Sequence, residues 1–319
     1  MTRKRIITSE IPRLQSPETV DCYCARRFTY FTQDQWGKEI DDGKLSINGM
    51  TVTDRTVTLR GGELLAWDGS GIVEPEVDQK ITILYEDEGF VAVNKTGNLP
   101  VHPSGRYFNH TLVAILEDRY GRKVYPVHRI DRETSGVILL AFDGKSAGAL
   151  SESLARGLKE YLALVHGNFP GGEMIVDLPL GRDYESDVSK KRKAWPGGTQ
   201  TALTQFRKVL TAGDISLVRC IPKTGRLHQI RAHLLAMGYP IVGDKLYGRD
   251  ETAFLTFIRQ GFTAGLEASL VLPRSALHAV RLVFLHPRTG KEIVLLAPLP
   301  KMFADFIRAR KTGDARDKS

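Results

Sequence analysis

The order of predicted strands and helices constrains the fold of this 319-residue chain more than any other feature. Alternating or continuous apolar residues predict strands at 81–94 (two strands joined at 86–89), 159–167, 201–210, 214–222, 277–287 and 292–298. Helical spacing of apolar residues occurs at 110–120 and 146–157. Because most strands are joined by short turns rather than by crossover helices, the sequence predicts an α+β fold with a largely antiparallel sheet.

A smaller unit is predicted before this domain. The Gly, Pro and acidic stretch at 69–80 predicts a boundary, with an N-terminal domain at 1–77 and a main domain at 78–300. Asn48 and Gly49 separate two short apolar runs as a type I′ hairpin turn does, and the preceding segment predicts a helix that ends at Gly43. Segment 43–65 resembles a small α/β RNA-binding module, from which residues 17–35 depart. The basic, polar ending at 301–319 predicts a C-terminal tail in solvent.

Composition narrows the class of protein and of partner. Forty-five Lys and Arg against 37 Asp and Glu give a net charge of +8 and a pI near 9.3, which suits a polyanionic partner such as nucleic acid, with a basic but inert surface as an equal alternative on charge alone. Three cysteines, Cys22, Cys24 and Cys220, are too few for a disulfide framework, and they do not form a zinc motif. The start of the chain lacks the apolar core of a signal peptide, and no apolar run is long enough for a membrane helix. These features predict a cytoplasmic protein without a metal.

Asp131 is the first candidate catalytic residue. It lies between Arg129 and Arg132, in a charged segment that precedes the apolar run 137–142. Such a run predicts a strand buried on both faces, and a loop fixed by a buried strand is a common location for catalytic residues. Alone, the pattern is equally consistent with a surface ion pair between Asp131 and its neighbouring arginines.

A second candidate is Arg226. Leu227, Ile230, Leu234 and Met237 recur at helical spacing, which predicts a helix with one buried face and with Arg226 in its first turn. A cation there is unfavourable with respect to the helix dipole and requires a carboxylate or a phosphate. We therefore expect Arg226 to form an ion pair with Asp131 and to keep it ionised.

The segments HRIDRETSG, EYLALVHG and KTGRLHQIRAH, in this order, closely resemble the signature motifs of the RluA-type pseudouridine synthases. The resemblance extends through 83–102 and 277–292 and so covers about residues 80–300. Ile130 and Leu227 stand where family members usually have Leu and Thr, and Lys95 is not followed by the usual Pro. The GRY sequence at 105–107 is similar to a branch that includes tRNA enzymes.

The resemblance implies the pseudouridine synthase fold and an RNA uridine isomerase that acts on tRNA or rRNA without cofactor or metal. We expect a monomer, because one active site is complete in one chain. It implies that Asp131 is the reacting carboxylate, that Tyr161 stacks on the uracil and carries protons, and that Arg226 pairs with Asp131. Arg129 would fill the space left by the flipped uridine. It also places His128, Leu227 and Arg106 at the RNA, although hydrogen-bonded structural roles suit His128 and His228 better than a metal site does.

The run Lys190, Lys191, Arg192 and Lys193 predicts a mobile basic loop for RNA phosphates, against the alternative of a solvated charge run. Two other functions remain open. One is a catalytically silent RNA-binding or RNA-folding protein on the same fold. The other is a hydrolase of glycosidic bonds, which requires a second carboxylate near Asp131, for which Glu133 is the neighbour in sequence.

Overall fold

The structure is a computed structural model that describes residues 5–28, 31–248 and 250–314. The chain is divided into two compact units. One comprises Met1–Val77 and His102–Ile115, and the other comprises Asp78–Val101 and Leu116–Ser319. Among the described residues, no helix has both the length and the apolar content needed to cross a membrane.

The first unit is a four-stranded antiparallel sheet with two helices. Its elements are β1 (Ile6–Glu10), α1 (Val20–Arg27), α2 (Gln33–Asp41), β2 (Leu45–Ile47), β3 (Met50–Val52) and β4 (Leu64–Asp68), with the strand order β1-β4-β2-β3. The predicted hairpin is confirmed, since Asn48 and Gly49 join β2 to β3 with φ angles of 51° and 82°. The core includes Trp36 and Trp67, whose rings meet edge to face with centroids 4.6 Å apart.

The second unit is built around a ten-stranded sheet. Its main strand order is β10-β13-β14-β9-β15-β8-β6-β5, with β16 paired to β15 and β7 paired to β8. The strands are β5 (Ile81–Glu86), β6 (Phe90–Lys95), β7 (Tyr125–Pro126), β8 (Ser135–Ala141), β9 (Leu158–His166), β10 (Glu173–Asp177), β13 (Leu203–Ala212), β14 (Ile215–Pro222), β15 (Leu277–Leu285) and β16 (Glu292–Leu296). A separate hairpin consists of β11 (Leu180–Arg182) and β12 (Arg192–Ala194).

Among the described residues, five helices lie wholly in this unit, and a sixth, α3 (Leu112–Tyr120), has residues assigned to both units. The five are α4 (Gly144–Arg156), α5 (Gln229–Ala236), α6 (Thr252–Gln260), α7 (Ala264–Leu270) and α8 (Lys301–Asp314). The expected α+β fold with a largely antiparallel sheet is confirmed, because the β8–β15 pair is the one parallel pairing among the described strands.

Strand β8 has every residue buried, as its apolar sequence predicts. Gly136 on this strand has a φ of +111°, and a Cβ there would lie 2.1 Å from the carbonyl oxygen of Ala279 on β15. Glycine therefore allows β8 and β15 to approach at this point. The result is a rigid strand whose first residue, Ser135, lies four positions after Asp131.

The predicted C-terminal tail is wrong for residues 301–314, because this segment forms α8. Phe303 is completely buried and Ile307 is 8% exposed, so the helix packs through an apolar face. Residues 315–319 of the predicted tail lie outside the described residues. The basic residues between these apolar positions are typical of a solvated segment, but the apolar spacing determines its structure.

Candidate active site

Asp131 lies in the loop between β7 and β8, and a buried lysine holds that loop in place. The Lys95 ammonium group donates to the carbonyl oxygens of Thr96 at 2.7 Å, Leu99 at 2.9 Å and Arg132 at 3.1 Å. The Lys95 side chain is completely buried, and burial lowers its pKa. The backbone of Arg132, the residue after Asp131, is thus held by the buried ammonium group of Lys95. Lys95 was not among the predicted site residues.

The other end of the loop is held by Glu133. Its carboxylate accepts hydrogen bonds from the Lys245 ammonium group at 2.7 Å and from the backbone N–H of Ser275 at 3.0 Å. Arg274 donates to the Glu133 carbonyl oxygen at 2.9 Å. Glu133 therefore anchors the loop and is not directed at the same space as Asp131.

The cation paired with Asp131 is Arg231. Its Nη1 donates to Oδ2 of Asp131 at 2.7 Å, while its Nε and Nη2 donate to the two carboxylate oxygens of Asp244 at 2.6 and 2.8 Å. Asp244 is completely buried and also accepts hydrogen bonds from the backbone N–H groups of Leu246 and Tyr247. One guanidinium thus joins a buried structural carboxylate to a carboxylate that is 22% exposed.

The predicted pairing of Arg226 with Asp131 is therefore wrong. Helix α5 begins at Gln229, so Arg226 precedes the helix, is exposed, and donates from Nε to the carbonyl oxygen of Thr201 at 3.0 Å. Arg231, the third residue of α5, occupies the first-turn position expected of Arg226. The first turn of α5 does hold an arginine paired with Asp131, as the helix dipole requires, but this arginine is five residues after Arg226.

The ionisation of Asp131 follows from these neighbours. Burial alone would raise the pKa of its carboxyl, but the charge of His228 where that residue is protonated and the charge of Arg231 bring that pKa below its ordinary value. His228 Nε2 lies 3.8 Å from Oδ1 of Asp131. Because burial lowers the pKa of His228 to about 4, this imidazole is neutral at neutral pH. Arg231 is then the cation that keeps Asp131 ionised.

Tyr161 lies on β9 with 8% of its surface exposed. Burial and the negative charge of Asp131 raise the pKa of its phenol, so the hydroxyl remains protonated at neutral pH. The structure thus combines an ionised carboxylate with a neutral phenol, and the aromatic ring supplies an apolar surface. This combination suits a flat heterocycle attached to a sugar.

The remaining RNA-contact candidates differ in their surroundings. Arg129 is exposed, two residues before Asp131. The ring of His128 accepts a hydrogen bond at Nε2 from the backbone N–H of Leu139, and burial lowers the pKa of His128 to about 3. This contact agrees with the structural role considered for His128. Leu227 is half-buried in the turn before α5, and Arg106 is exposed in the first unit.

The segment predicted as a mobile basic loop is instead ordered as part of the β11–β12 hairpin, because its cations have local partners. Lys191 is 14% exposed and pairs with Glu251 at 2.6 Å, and Lys193 pairs with Glu185 at 2.7 Å. Arg192 donates from Nη1 to the carbonyl oxygens of Ser189 and Lys191. Lys190 is exposed at the turn.

Metal-ligating side chains are dispersed. In the described part of the chain, no three His, Cys, Asp or Glu side chains are grouped to share a metal ion. The three cysteines are free thiols. A cavity of about 640 Å³ is lined by Lys95, Glu133, Lys245 and Arg274 among others, but not by Asp131 or Tyr161.

Sequence reasoning missed Arg231, Asp244 and Tyr247. Arg231 lies within the KTGRLHQIRAH segment. It could have been found from its place in the first turn of the helix, because a cation there requires a carboxylate partner. Asp244 and Tyr247 belong to an irregular segment after α5, which has no periodic pattern. Their contact with Arg231 depends on tertiary folding, since they come from a turn that follows the helix.

Comparison with known proteins identifies the family. The family model described as RNA pseudouridylate synthase matches residues 89–236, a range that contains Asp131, Tyr161 and Arg231. The mitochondrial tRNA pseudouridine(32) synthase of Saccharomyces cerevisiae is 34% identical over 242 residues, which are 75% of this chain and 52% of that protein, so this chain spans about half of that relative.

Ribosomal large subunit pseudouridine synthase D of Zymomonas mobilis is 33% identical over 241 residues, covering 72% of each protein. The solved structure of human RNA pseudouridylate synthase domain containing 4 has 27% sequence identity and a TM-score of 0.56, and covers 72% of this chain and 92% of that one. The fold, the motif residues and these relatives agree, and the chain belongs to the RluA-type family of RNA pseudouridine synthases, isomerases that act on RNA.

Proposed function

We propose that this enzyme converts uridines of tRNA or ribosomal RNA to pseudouridine without a cofactor, with Asp131 as the reacting carboxylate. The observation that carries the proposal is the Asp131–Arg231 ion pair at 2.7 Å, beside the buried Tyr161 ring and partly open to solvent. The ion pair supports an ionised Asp131, and the partial exposure of the side chain supports access by a nucleotide.

The reaction is an isomerisation. The bond between C1′ of the ribose and N1 of uracil breaks, the uracil turns, and a new bond forms between C1′ and C5, while the proton on C5 is lost and N1 gains one. No electrons are gained or lost overall, and no water is consumed. A carboxylate that assists as nucleophile or base, in a site that retains the detached base, is sufficient for this balance.

The residues of this site have distinct roles in the proposal. Asp131 presents Oδ1 to the nucleotide, because Oδ2 is bonded to Arg231. Tyr161 offers its ring to the uracil and a protonated hydroxyl for proton transfer. Arg231 maintains the charge and direction of Asp131 and takes no part in proton transfer, because Asp131 and Asp244 keep its pKa above the ordinary value despite burial.

A hydrolase is less well supported by the surrounding carboxylates. Glycosidic hydrolysis normally uses two available carboxyl groups. Glu133 is bonded to Lys245 and Ser275, and Asp244 is buried with both oxygens bonded to Arg231. Neither is free to activate water beside Asp131.

The proposed RNA targets follow the named relatives. The yeast relative is named for a tRNA and the Zymomonas relative for the large ribosomal subunit, and the basic net charge of +8 suits either RNA. The similarity of the GRY sequence to tRNA enzymes favours tRNA as the first substrate to test.

The test compares the unchanged protein with Asp131→Asn on unmodified tRNA and rRNA transcripts. Asn keeps the shape of the side chain and removes its charge, so we expect RNA binding to persist and pseudouridine formation to fall below detection. Asp34→Asn, at an exposed position in α2, is the matched control and should retain full activity. Pseudouridine and free uracil are measured by mass spectrometry. Turnover by Asp131→Asn would refute the role of Asp131, whereas free uracil from the unchanged protein would indicate hydrolysis.

A further inference from the structure

His228 has an unusual backbone conformation next to Asp131. It is the N-cap residue of α5 with φ 59° and ψ 18°, in the left-handed region, and its side chain makes no capping hydrogen bond. A residue other than glycine in this region is strained, at a cost on the order of 1 kcal/mol. The strain is offset by contacts of the side chain elsewhere, which direct the imidazole towards Asp131.

The first contact is with Tyr247. The Tyr247 hydroxyl oxygen accepts a hydrogen bond from the backbone N–H of Arg192 at 2.7 Å, and it lies 2.9 Å from Nδ1 of His228. Among the described residues, Nδ1 of His228 is the acceptor that lies within hydrogen-bond distance of the Tyr247 hydroxyl proton. Tyr247 therefore donates to Nδ1, and the neutral imidazole carries its proton on Nε2.

The Tyr247 residue is itself firmly held. Its backbone N–H donates to Asp244 at 2.8 Å, and its ring centroid lies 4.6 Å from the guanidinium carbon of Arg231. The residue that sets the tautomer of His228 is thus fixed by Arg231, which also holds Asp131, and by Asp244, which holds Arg231. His228 and Arg231 consequently approach Asp131 as parts of one packed group.

The two contacts to Asp131 are made at different oxygens. Arg231 is bonded to Oδ2, whereas Nε2 of His228 faces Oδ1 at 3.8 Å. This distance is longer than a hydrogen bond. The N–H group therefore attracts Oδ1 electrostatically without occupying it, which leaves that oxygen free to react.

We propose that His228 is a positioning residue for the isomerisation, which Tyr247 holds in the Nε2–H tautomer so that an N–H donor faces the reacting oxygen of Asp131. This inference rests on the proposed role of Asp131. In this proposal His228 and Tyr247 have a function beyond packing. The direction of the Asp131 carboxylate is fixed by the Arg231 cation at Oδ2 and by the neutral N–H group of His228 at Oδ1.

Two substitutions separate positioning from a structural role. In His228→Gln the side-chain amide nitrogen can reach the place of Nε2, whereas in His228→Asn the amide reaches only the place of Nδ1. Asparagine is better tolerated in the left-handed backbone region, so a purely structural role predicts that the Asn variant is at least as good as the Gln variant. Positioning predicts the opposite order of rates.

The experiment measures single-turnover pseudouridine formation at saturating RNA, together with RNA binding. We expect His228→Gln to remain within about threefold of the unchanged protein and His228→Asn to lose on the order of tenfold or more, with equal RNA affinity. Tyr247→Phe should also slow turnover, and ¹⁵N NMR of the histidine rings should show loss of the Nε2–H preference. Tyr239→Phe, whose ring packs against Phe169, is the control and should do neither.

Equal rates for the two His228 variants, or a faster Asn variant, would overturn the inference. This result is distinguishable from failure of the proposed function. If Asp131→Asn remained active, the role of Asp131 would fail first, whatever the order of the His228 variants. If Asp131→Asn were inactive and the His228 variants were equal, only the positioning role would be lost.

Discussion

Arg231 contacts Asp131 from the first turn of α5, with Nη1 of the guanidinium 2.7 Å from Oδ2 of the carboxylate. A cation at this end of a helix is opposed by the helix dipole, and the two carboxylates of Asp131 and Asp244 offset that effect. Arg231 therefore contributes both to stability and to the proposed reaction, because its guanidinium binds the buried Asp244 and the proposed reacting residue Asp131.

The first prediction concerns Arg231→Gln. It leaves Asp244 buried without its cation, so we expect the free energy of unfolding to fall by about 3–5 kcal/mol in chemical denaturation. Arg231→Lys keeps the charge but cannot bridge both carboxylates, and it should fold with a reduced rate of pseudouridine formation. Arg226→Gln is the matched control, because Arg226 is exposed and its side chain donates to Thr201, and it should cost less than about 1 kcal/mol. Equal losses for the two Gln variants would contradict the assignment of Arg231.

The error over Arg226 shows what could be predicted from the sequence here. The spacing of Leu227, Ile230 and Leu234 fits a helix that starts at either arginine, so periodicity alone does not locate the first turn. The start at Gln229 depends on distant groups. The Gln229 side chain donates to the carbonyl oxygen of Leu203 and accepts from the backbone N–H of Arg226, which turns the chain before the helix.

The parts predicted correctly are those determined by local pattern. The buried strand β8 follows from a continuous apolar run, and the β2–β3 hairpin follows from Asn48 and Gly49. Contacts among Arg231, Asp244 and Tyr247 join a helix to an irregular turn, and no spacing rule anticipates them. The Asp131 loop was predicted from its position before β8, but its anchor, Lys95, lies on another strand.

The second prediction separates two adjacent lysines of the hairpin. Lys190 is exposed and available to a phosphate, whereas Lys191 is paired with Glu251 at 2.6 Å. Lys190→Ala should weaken RNA binding and reduce the slope of log affinity against log salt by about 0.7–0.9, because one counterion fewer is released. Lys191→Ala should change this slope less. Filter binding across a salt series measures both, and an unchanged slope for Lys190→Ala would show that the hairpin does not contact phosphate.

The third prediction concerns stability at mildly acidic pH. Burial lowers the pKa of His228 and of His278 from 6.5 to about 4, so the folded state binds these protons less readily than the unfolded chain does. Their contribution to stability is complete above the unfolded pKa of 6.5, is lost progressively as the pH falls below 6.5, and is fully lost below the folded pKa of about 4. At pH 5 we expect a loss on the order of 1–2 kcal/mol for each imidazole.

Urea denaturation at pH 7.5 and at pH 5 tests this expectation. His228→Gln, which has no titratable group at that position, should show a smaller decrease in unfolding free energy between the two pH values than the unchanged protein. If the two decreases were the same, protonation of His228 would not be linked to unfolding in this pH range. The carboxylate of Asp244 does not confuse the comparison, because its pKa is lowered to about 2 and its contribution is lost below pH 4.

The last prediction uses two glycines near the ends of β8. Gly136→Ala places a methyl group 2.1 Å from the Ala279 carbonyl oxygen in a backbone with φ +111°, so β8 and β15 must separate. We expect a loss of at least about 3 kcal/mol in unfolding free energy. Gly144→Ala, at the first residue of α4 and facing open space, should be neutral or stabilising by up to about 1 kcal/mol.

The activity of the Gly136→Ala variant then tests how the strand supports the site. Asp131 precedes β8 by four residues, so a displaced β8 should move the carboxylate away from Arg231. Measured on the folded fraction at low temperature, single-turnover pseudouridine formation should fall while RNA binding persists. A folded variant with an unchanged rate would show that the Lys95 and Glu133 anchors hold the loop without help from the β8–β15 contact.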